Sequence, residues 1–398
     1  MTSKLAVARA YLAARHPRRM ERDLGDAPVV GEDCYLTDFA KYNVLGVSLE
    51  EARQRARAEL ASGKPSQGEY SFGLSTGTTG EPGVFLTSPA ERDRWLGTIL
   101  GKFLSPCQVL RMRAALLLKN DNRLYHGSGR VHYVDIGQPL KQWAAGLCKL
   151  APNILIGPPG ILLALGESET FRRHPFRPEV VLSAAEVLYP QDRKRLQAIY
   201  GAAPRNLYQA KEGFLAAGCA HGALHWNEDL MVLEGYRFLA DRERVVPVIS
   251  DFTRQSQTYR RYRLDDVIRV PAAAPCPCPT PLQKIAAVEG RLQDVLLIPD
   301  GSGHRPVFAM DANEYLRSAG DYTLTQHDGI YFTLACTYTP SADSLRGLLD
   351  LLGEPERFEI VPLRPDAPGR KRRRFRRQFD PENKIILRKL LGPLERLR

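Results

Sequence analysis

Residues 75–83 read Ser75-Thr76-Gly77-Thr78-Thr79-Gly80-Glu81-Pro82-Gly83 and stand between two short strand-like pieces, YSFGL before them and VFLT after. A run of glycine and hydroxyl residues in that setting can wrap a chain of phosphates. Glycine lets the backbone approach closely and take positive φ, while amides and hydroxyls donate to phosphate oxygens. The pattern is neither a Walker A loop, which continues into Gly-Lys-Ser/Thr, nor a dinucleotide Gly-x-Gly-x-x-Gly. A solvated turn is the commoner origin of a loose Gly/Ser/Thr cluster, so the surrounding sequence has to decide between the two.

Upstream, Leu5, Ala8, Tyr11 and Leu12 fall at helical spacing, and Ser48 with Glu51 forms a capping box ahead of a polar helix. Downstream, helical stretches alternate with the apolar runs Ala114–Leu118, Asn153–Ile156 and Glu179–Ala184, the pattern of a parallel sheet covered by helices. From Leu224 to Val270 the runs shorten and become β-branched (MVLE, VVPVIS, DVIRV), which predicts a small antiparallel unit. Pro271 to Pro281, with five prolines and two cysteines, reads as a rigid connector. After it come further strands (VLLIP, YFTLACTY) and a helix (SLRGLLDLL). The expectation is an α/β protein with two domains. Residues 1–290 form a large domain of parallel sheets covered by helices plus an antiparallel β subdomain, and residues 291–398 form a small mobile α+β domain.

At 398 residues the chain has material for more than one core, and its 43% hydrophobic and 25% charged composition is that of a soluble globular protein. Collagen-like, coiled-coil and disordered classes are excluded. The longest apolar stretch, Ile154 to Gly166, is broken by Pro158 and Pro159, so no membrane span is expected. No secretory signal is apparent, and a cytoplasmic setting is expected. The seven cysteines are odd in number and scattered, which favours free thiols or a metal site over a disulfide framework. Of these, Cys107, Cys148 and Cys336 sit among apolar residues and read as core packing. The net charge of +11 is local: Val361–Arg398 carries 13 Lys and Arg against 4 Asp and Glu. A surface built throughout for polyanions is excluded.

The loop and the segments beyond it resemble the adenylate-forming superfamily: acyl-CoA ligases, peptide-synthetase adenylation domains and luciferases. The match is closest to the phenylacetate-CoA-ligase-like branch. Ser75 to Gly83 resembles the loop that holds the β- and γ-phosphates of ATP, which implies nucleotide contacts from Ser75, Thr76, Gly77, Thr78, Thr79 and Gly80. Ser183-Ala184-Ala185-Glu186 is similar to a segment bordering the adenine pocket. Tyr208-Gln209-Ala210-Lys211-Glu212-Gly213 resembles the motif whose tyrosine stacks on adenine and whose glutamate binds Mg²⁺, placing Tyr208 and Glu212 in those roles. His225-Trp226-Asn227-Glu228-Asp229 matches the next segment of the same branch. Arg261-Tyr262-Arg263-Leu264-Asp265-Asp266 resembles the ribose-binding motif, so Asp266 is the implied ribose anchor. Gly290-Arg291-Leu292-Gln293-Asp294 resembles the junction between large and small domains and brings in Arg291. The sequence departs from the pattern at four points. Gly83 stands where many relatives have lysine, Lys211 where a small hydroxyl residue is common, Gln209 where glycine is usual, and Gln293 where the hinge aspartate is usual.

Two further groups of residues invite chemistry. Cys219, His221, His225, Cys276 and Cys278 carry metal-ligating side chains, although Cys276-Pro277-Cys278 has a tighter spacer than common zinc sites. Some relatives use such a set for a structural zinc, which implies Cys219, His225, Cys276 and Cys278 as ligands; packed free thiols are the alternative. Gly369-Arg370-Lys371-Arg372-Arg373-Arg374-Phe375-Arg376-Arg377 reads as a polyanion arm by composition. It also resembles the superfamily's C-terminal catalytic lysine motif, with Lys371 or Arg370 as the cation. The resemblance implies ATP- and Mg²⁺-dependent activation of a carboxylic acid, by analogy an aromatic one, to acyl-AMP. The second half-reaction is transfer to the thiol of coenzyme A or a carrier protein, and the acid pocket is expected between about Asn120 and Gly166. An adenylyltransferase leaving AMP on a phenolic coenzyme or metabolite, and a nucleic-acid-binding protein using the basic segment, are the rival readings.

Overall fold

The computed structural model describes residues 2–62, 70–75, 83–119, 129–271, 276–301, 303–364, 373–379 and 389–397. The predicted apolar runs become the middle of an eight-stranded sheet. Its order is Lys284–Ile285, Leu224–Trp226, Gly213–Gly218, Arg205–Ala210, Val180–Ala184, Ile154–Gly157, Ala114–Leu118, Val131–Asp135. The five strands from Arg205–Ala210 to Val131–Asp135 are parallel, and the other three antiparallel. Ala114, Ala115, Leu116 and Leu117 are all buried, as expected of a strand covered on both faces. Helices such as Leu140–Leu150, Pro159–Gly166 and Pro190–Tyr200 supply the cover through Leu147, Leu162, Leu163 and Leu196. The loop's flanking pieces pair as an antiparallel ribbon, Ser71–Leu74 with Val84–Thr87. Directly after it, Ser88 caps the helix Pro89–Phe103: its Oγ accepts from Glu91 N, and the Glu91 carboxylate accepts in return from Ser88 N. At the earlier predicted box only the Ser48 Oγ bond from Glu51 N is present, and Glu51 pairs with Arg55 at 2.5 Å.

The antiparallel unit is a six-stranded sheet in the order Ala287–Arg291, Asp266–Arg269, Arg244–Asp251, Met231–Phe238, Leu391–Arg396, with Tyr259–Arg263 also on Arg244–Asp251. All eight residues of Arg244–Asp251 are buried, consistent with its central place. A four-stranded sheet, Arg357–Pro362, Tyr331–Cys336, Tyr322–Gln326 and Phe375–Arg377, packs with the helices Ala309–Tyr315 and Ala342–Leu351 around one core that also takes in Tyr189. Two features bear on the expected boundary at 290/291. Residue 290 lies inside the edge strand Ala287–Arg291, and the terminal strand Leu391–Arg396 pairs with Met231–Phe238 rather than joining the four-stranded sheet. No helix among the described residues is long and apolar enough to cross a membrane.

Candidate active site

A cavity of about 470 Å³ opens at the C-terminal ends of the parallel strands, where open α/β sheets bind ligands. Its walls come from that sheet (Leu116, Leu118, Ile156, Ala184), from the antiparallel sheet (Asp251, Asp266, Arg291) and from the C-terminal unit (Phe308, Arg373, Arg374). Ser75 and Gly83 stand on the same wall and are tied together: Ser75 N donates to Gly83 O at 2.7 Å, and Gly83 N to Ser75 Oγ at 2.9 Å. The loop therefore leaves and returns at one point beside the cavity. Thr76, Gly77, Thr78, Thr79 and Gly80 lie outside the described residues, as do Arg370 and Lys371.

Three of the expected nucleotide residues converge directly. The Tyr208 hydroxyl donates to Asp266 Oδ2 at 2.5 Å, and Arg291 Nε lies 3.3 Å from Asp266 Oδ1. Asp266 pairs with Arg291 across adjacent strands, so sheet register brings these residues together. Burial, reinforced by the Asp266 carboxylate, holds the Tyr208 phenol in its protonated form. The Asp266 charge in turn strengthens Arg291's hold on its proton. Glu212 lies on the turn between Arg205–Ala210 and Gly213–Gly218, is 5% exposed and lines the same cavity. Burial raises its pKa, with Lys211 and Arg291 pulling the other way. A carboxylate so placed gains from a cation, which fits a Mg²⁺ ligand. Glu186 comes directly after Ala185, whose φ of 70° turns the chain out of the strand, and its Oε2 accepts a long 3.5 Å contact from Gly160 N.

Several lining residues had no sequence signal. Glu32, from the N-terminal helices, pairs with Lys211. Glu91 is buried and accepts from Gln255 N and Ser256 N at 2.6 and 3.0 Å, bracing the turn that carries Arg254. The cavity draws on the range 120–166 and beyond it: Tyr133 and Ile156 come from that range, and Trp95, Thr98 and Ile99 come from the helix Pro89–Phe103. Glu228 and Asp229 do not line the cavity. Asp229 forms a largely buried pair with Lys102 at 2.7 Å, and Glu228 accepts from Gln283 N at 2.5 Å.

The arginine run corrects a reading made from composition. Arg374 is 3% exposed, pairs with Asp192 at 2.9 Å and lies over the rings of Tyr189 and Tyr322 at 4.5 and 4.9 Å. Arg373 pairs with Asp294. These two charges are spent inside the protein and are not a free polyanion arm. Cys107 is another correction: it is exposed, whereas Cys148 and Cys336 are buried as expected.

A separate candidate metal centre sits at the edge of the eight-stranded sheet. The ligating atoms of Cys219, His225, Cys276 and Cys278 all lie within 4.8 Å of one another. Topology explains the meeting. Lys284–Ile285 pairs with Leu224–Trp226 and draws the preceding connector against the end of Gly213–Gly218. Cys219 Sγ is 3.6 Å from Cys276 Sγ, and Cys278 Sγ is 3.3 Å from His225 Nε2. His225 Nδ1 lies 3.1 Å from Leu282 O, so a proton there leaves the Nε2 lone pair facing the sulfurs. Burial lowers the His225 pKa and favours the neutral ring that metals bind. His221 is not in the group.

Comparison with solved structures gives the architecture its place. Over 96% of this chain and 87% of the other, the structure is similar to 2-hydroxyisobutyryl-CoA ligase in a postadenylation state with 2-HIB-AMP (TM-score 0.63, 16% identity). The chain has the fold of the adenylate-forming ligases. An anthranilate CoA ligase, AuaEII, in complex with anthranoyl-AMP is similar over 77% of this chain and 67% of its own (TM-score 0.50, 13% identity). A benzoate CoA ligase from Burkholderia xenovorans LB400 is similar over 73% and 66% (TM-score 0.50, 13% identity). No family model and no curated protein matches the sequence. At these identities the likeness is one of fold.

Proposed function

We propose that this protein activates a carboxylic acid with ATP to acyl-AMP and transfers the acyl group to the thiol of coenzyme A or a carrier protein. The observation that carries the reading is the convergence of Tyr208, Asp266, Arg291 and Glu212 in one cavity beside the ends of the Ser75–Gly83 loop, on this fold. In this reading Asp266 grips the ribose hydroxyls, and Tyr208, held by its bond to Asp266, presents its ring to adenine. Glu186 borders the adenine pocket, and Ser75 with Thr76, Gly77, Thr78, Thr79 and Gly80 holds the phosphates. Glu212 holds Mg²⁺, whose charge offsets that of the phosphates as pyrophosphate leaves. Lys371 is the cation that brings carboxylate and α-phosphate together, with Arg370 as the alternative register. Trp95, Ile99, Leu116, Leu118, Tyr133 and Ile156 form an apolar, partly aromatic wall, which supports a flat aromatic acid. Cys219, His225, Cys276 and Cys278 hold one structural zinc away from the chemistry.

The test is pyrophosphate release from ATP and Mg²⁺ over a panel of aromatic and aliphatic acids, with coenzyme A added afterwards. Acid-dependent pyrophosphate release with AMP freed on adding thiol is the expected result. AMP retained on a phenolic product would make the protein an adenylyltransferase instead. Pyrophosphate release with no acid in the panel would overturn the acid assignment.

A further inference from the structure

Granted the ATP reading above, we infer that Lys211 supplies the phosphate-side cation of this site, from the space that a side chain at position 83 would otherwise occupy. The loop cannot supply that charge itself. From Ser75 to Gly83 it contains no Lys or Arg, and its one ionisable residue is the acidic Glu81. Its donors are neutral amides and hydroxyls, and a nucleoside triphosphate brings several negative charges.

Lys211 stands where the charge is missing. A Cβ built on Gly83 would lie 2.7 Å from Lys211 Cδ and 3.1 Å from Ser75 Oγ, the first closer than real Cβ contacts come. Gly83 is not among the residues with positive φ, so its backbone conformation does not call for glycine. Space does. The lysine stem crosses the exit of the loop, and a side chain at 83 would have to displace it. The two sequence departures, glycine at 83 and lysine at 211, therefore form one feature: the cation approaches the same place from the opposite wall.

The ammonium is placed to be exchanged. The Lys211 side chain is 14% exposed, pairs with Glu32 and lies 3.8 Å from Glu212 Oε1. All three residues line the cavity. Glu32 is the more open partner, with 32% of its side chain exposed, at the start of the short helix Glu32–Thr37. In the free protein Lys211 neutralises these carboxylates. When a phosphate chain arrives with a divalent cation on Glu212, the Lys211 ammonium can turn from Glu32 to phosphate oxygen by rotation of its terminal bonds, its stem staying over Gly83. A charge-assisted hydrogen bond formed in this way is of the stronger kind.

The rival role is a staple, in which Lys211 only fixes the Glu32 helix to the sheet. Calorimetric titration of the full chain with Mg-ATP and with AMP, in the absence of acid, separates the two. Lys211→Met should weaken ATP about 10- to 100-fold, the scale of one charge-assisted hydrogen bond, and AMP less than about threefold. Lys211→Arg should recover part of the loss. The transposed double variant Gly83→Lys/Lys211→Thr should restore ATP to within about tenfold of the wild type, since it returns one cation to the same space. Glu32→Gln removes the staple but keeps the cation, and should tighten ATP. The inference is overturned if Lys211→Met binds ATP as the wild type does, or loses ATP and AMP equally. It is also overturned if Glu32→Gln reproduces the Lys211→Met loss. A wild-type protein that binds neither nucleotide would instead remove the ATP reading on which the inference stands.

Discussion

Replacing Cys276 and Cys278 together by serine should strip the edge of the eight-stranded sheet of its metal. Zinc bonded to sulfur at about 2.3 Å and to nitrogen at about 2.0–2.1 Å in a tetrahedron puts its ligands about 3.8 Å (S to S) and 3.6 Å (S to N) apart. The structure has 3.6 Å between Cys219 and Cys276 and 3.3 Å between Cys278 and His225, each within a few tenths of an ångström of those values, and all four ligating atoms lie within 4.8 Å of one another. The stability at stake is set by the length of chain the metal closes. Cys219 and Cys276 are 57 residues apart, and a cross-link over such a loop removes about 4 kcal/mol of unfolded-state entropy. At ~2.1 cal/mol/K per residue, the 398-residue chain would then lose about 5 °C of melting temperature, more if only the large domain unfolds in that step. The assay is metal analysis of protein purified without chelator, paired with calorimetry of wild type, chelator-treated wild type and the double variant. About one zinc per chain is expected in the wild type, with the variant and the chelated protein melting at the same lower temperature. Metal-free wild type of undiminished stability, or a melting temperature that tracks reductant rather than zinc, would show that the four residues are packed thiols.

Asp266→Ala leaves the Tyr208 hydroxyl and Arg291 without the carboxylate they share, and should weaken ATP by roughly 2–4 kcal/mol; an unchanged dissociation constant would remove the ribose-anchor assignment. Glu212→Gln should lower Mg²⁺-dependent pyrophosphate release about 10²–10³-fold. Because burial raises the folded-state pKa of Glu212 above the unfolded value, its contribution to stability is present at acid pH and lost as pH rises through the folded pKa. The glutamine variant should thus be more stable than wild type at neutral pH and alike at low pH, and parallel melting profiles across pH would contradict this. Arg374→Met leaves the buried Asp192 carboxylate to the more distant Arg195, 3.9 Å away, and should cost about 3 kcal/mol by denaturant titration, with Arg374→Met/Asp192→Leu recovering most of it. Equal losses in the single and double variants would show that the pair is not the cause.

The features legible in the sequence are those that local pattern encodes. Ala114–Leu118 is a fully apolar run of strand length between breakers, and it forms a parallel strand with its predicted bounds. Of the motif residues expected at a nucleotide, Tyr208, Asp266 and Arg291 do meet. The Cys/His cluster is half legible: the residue types show, but their convergence depends on the pairing of Lys284–Ile285 with Leu224–Trp226, which only the sheet sets. The basic run misleads because composition counts charges without their partners. Arg374 reads as part of a solvated tract until Asp192 and the rings of Tyr189 and Tyr322 are found around it. Glu32 and Trp95 line the cavity from helices whose own sequences say only that they are helical.

The departures at 83 and 211 show why single positions mislead at a charged site. Taken one at a time and on the proposed roles, glycine for lysine would remove a phosphate-side cation, and lysine for a hydroxyl residue would crowd the carboxylate proposed to hold magnesium. Each alone argues for a weakened enzyme. The distance from Gly83 to the Lys211 stem couples them, because a side chain at position 83 would have to shift the lysine from where it lies. The electrostatic demand of a phosphate chain concerns the location of positive charge, not the strand that delivers it. A site can therefore move its cation between walls and keep its field, provided a carboxylate such as Glu32 holds the ammonium in the empty state and releases it to a stronger anion. Gly83→Lys alone, which restores the common loop residue, should therefore weaken ATP more than about tenfold, whereas the same substitution with Lys211→Thr should stay within about tenfold of the wild type. A single variant that binds ATP more tightly than wild type would show that the two positions are independent.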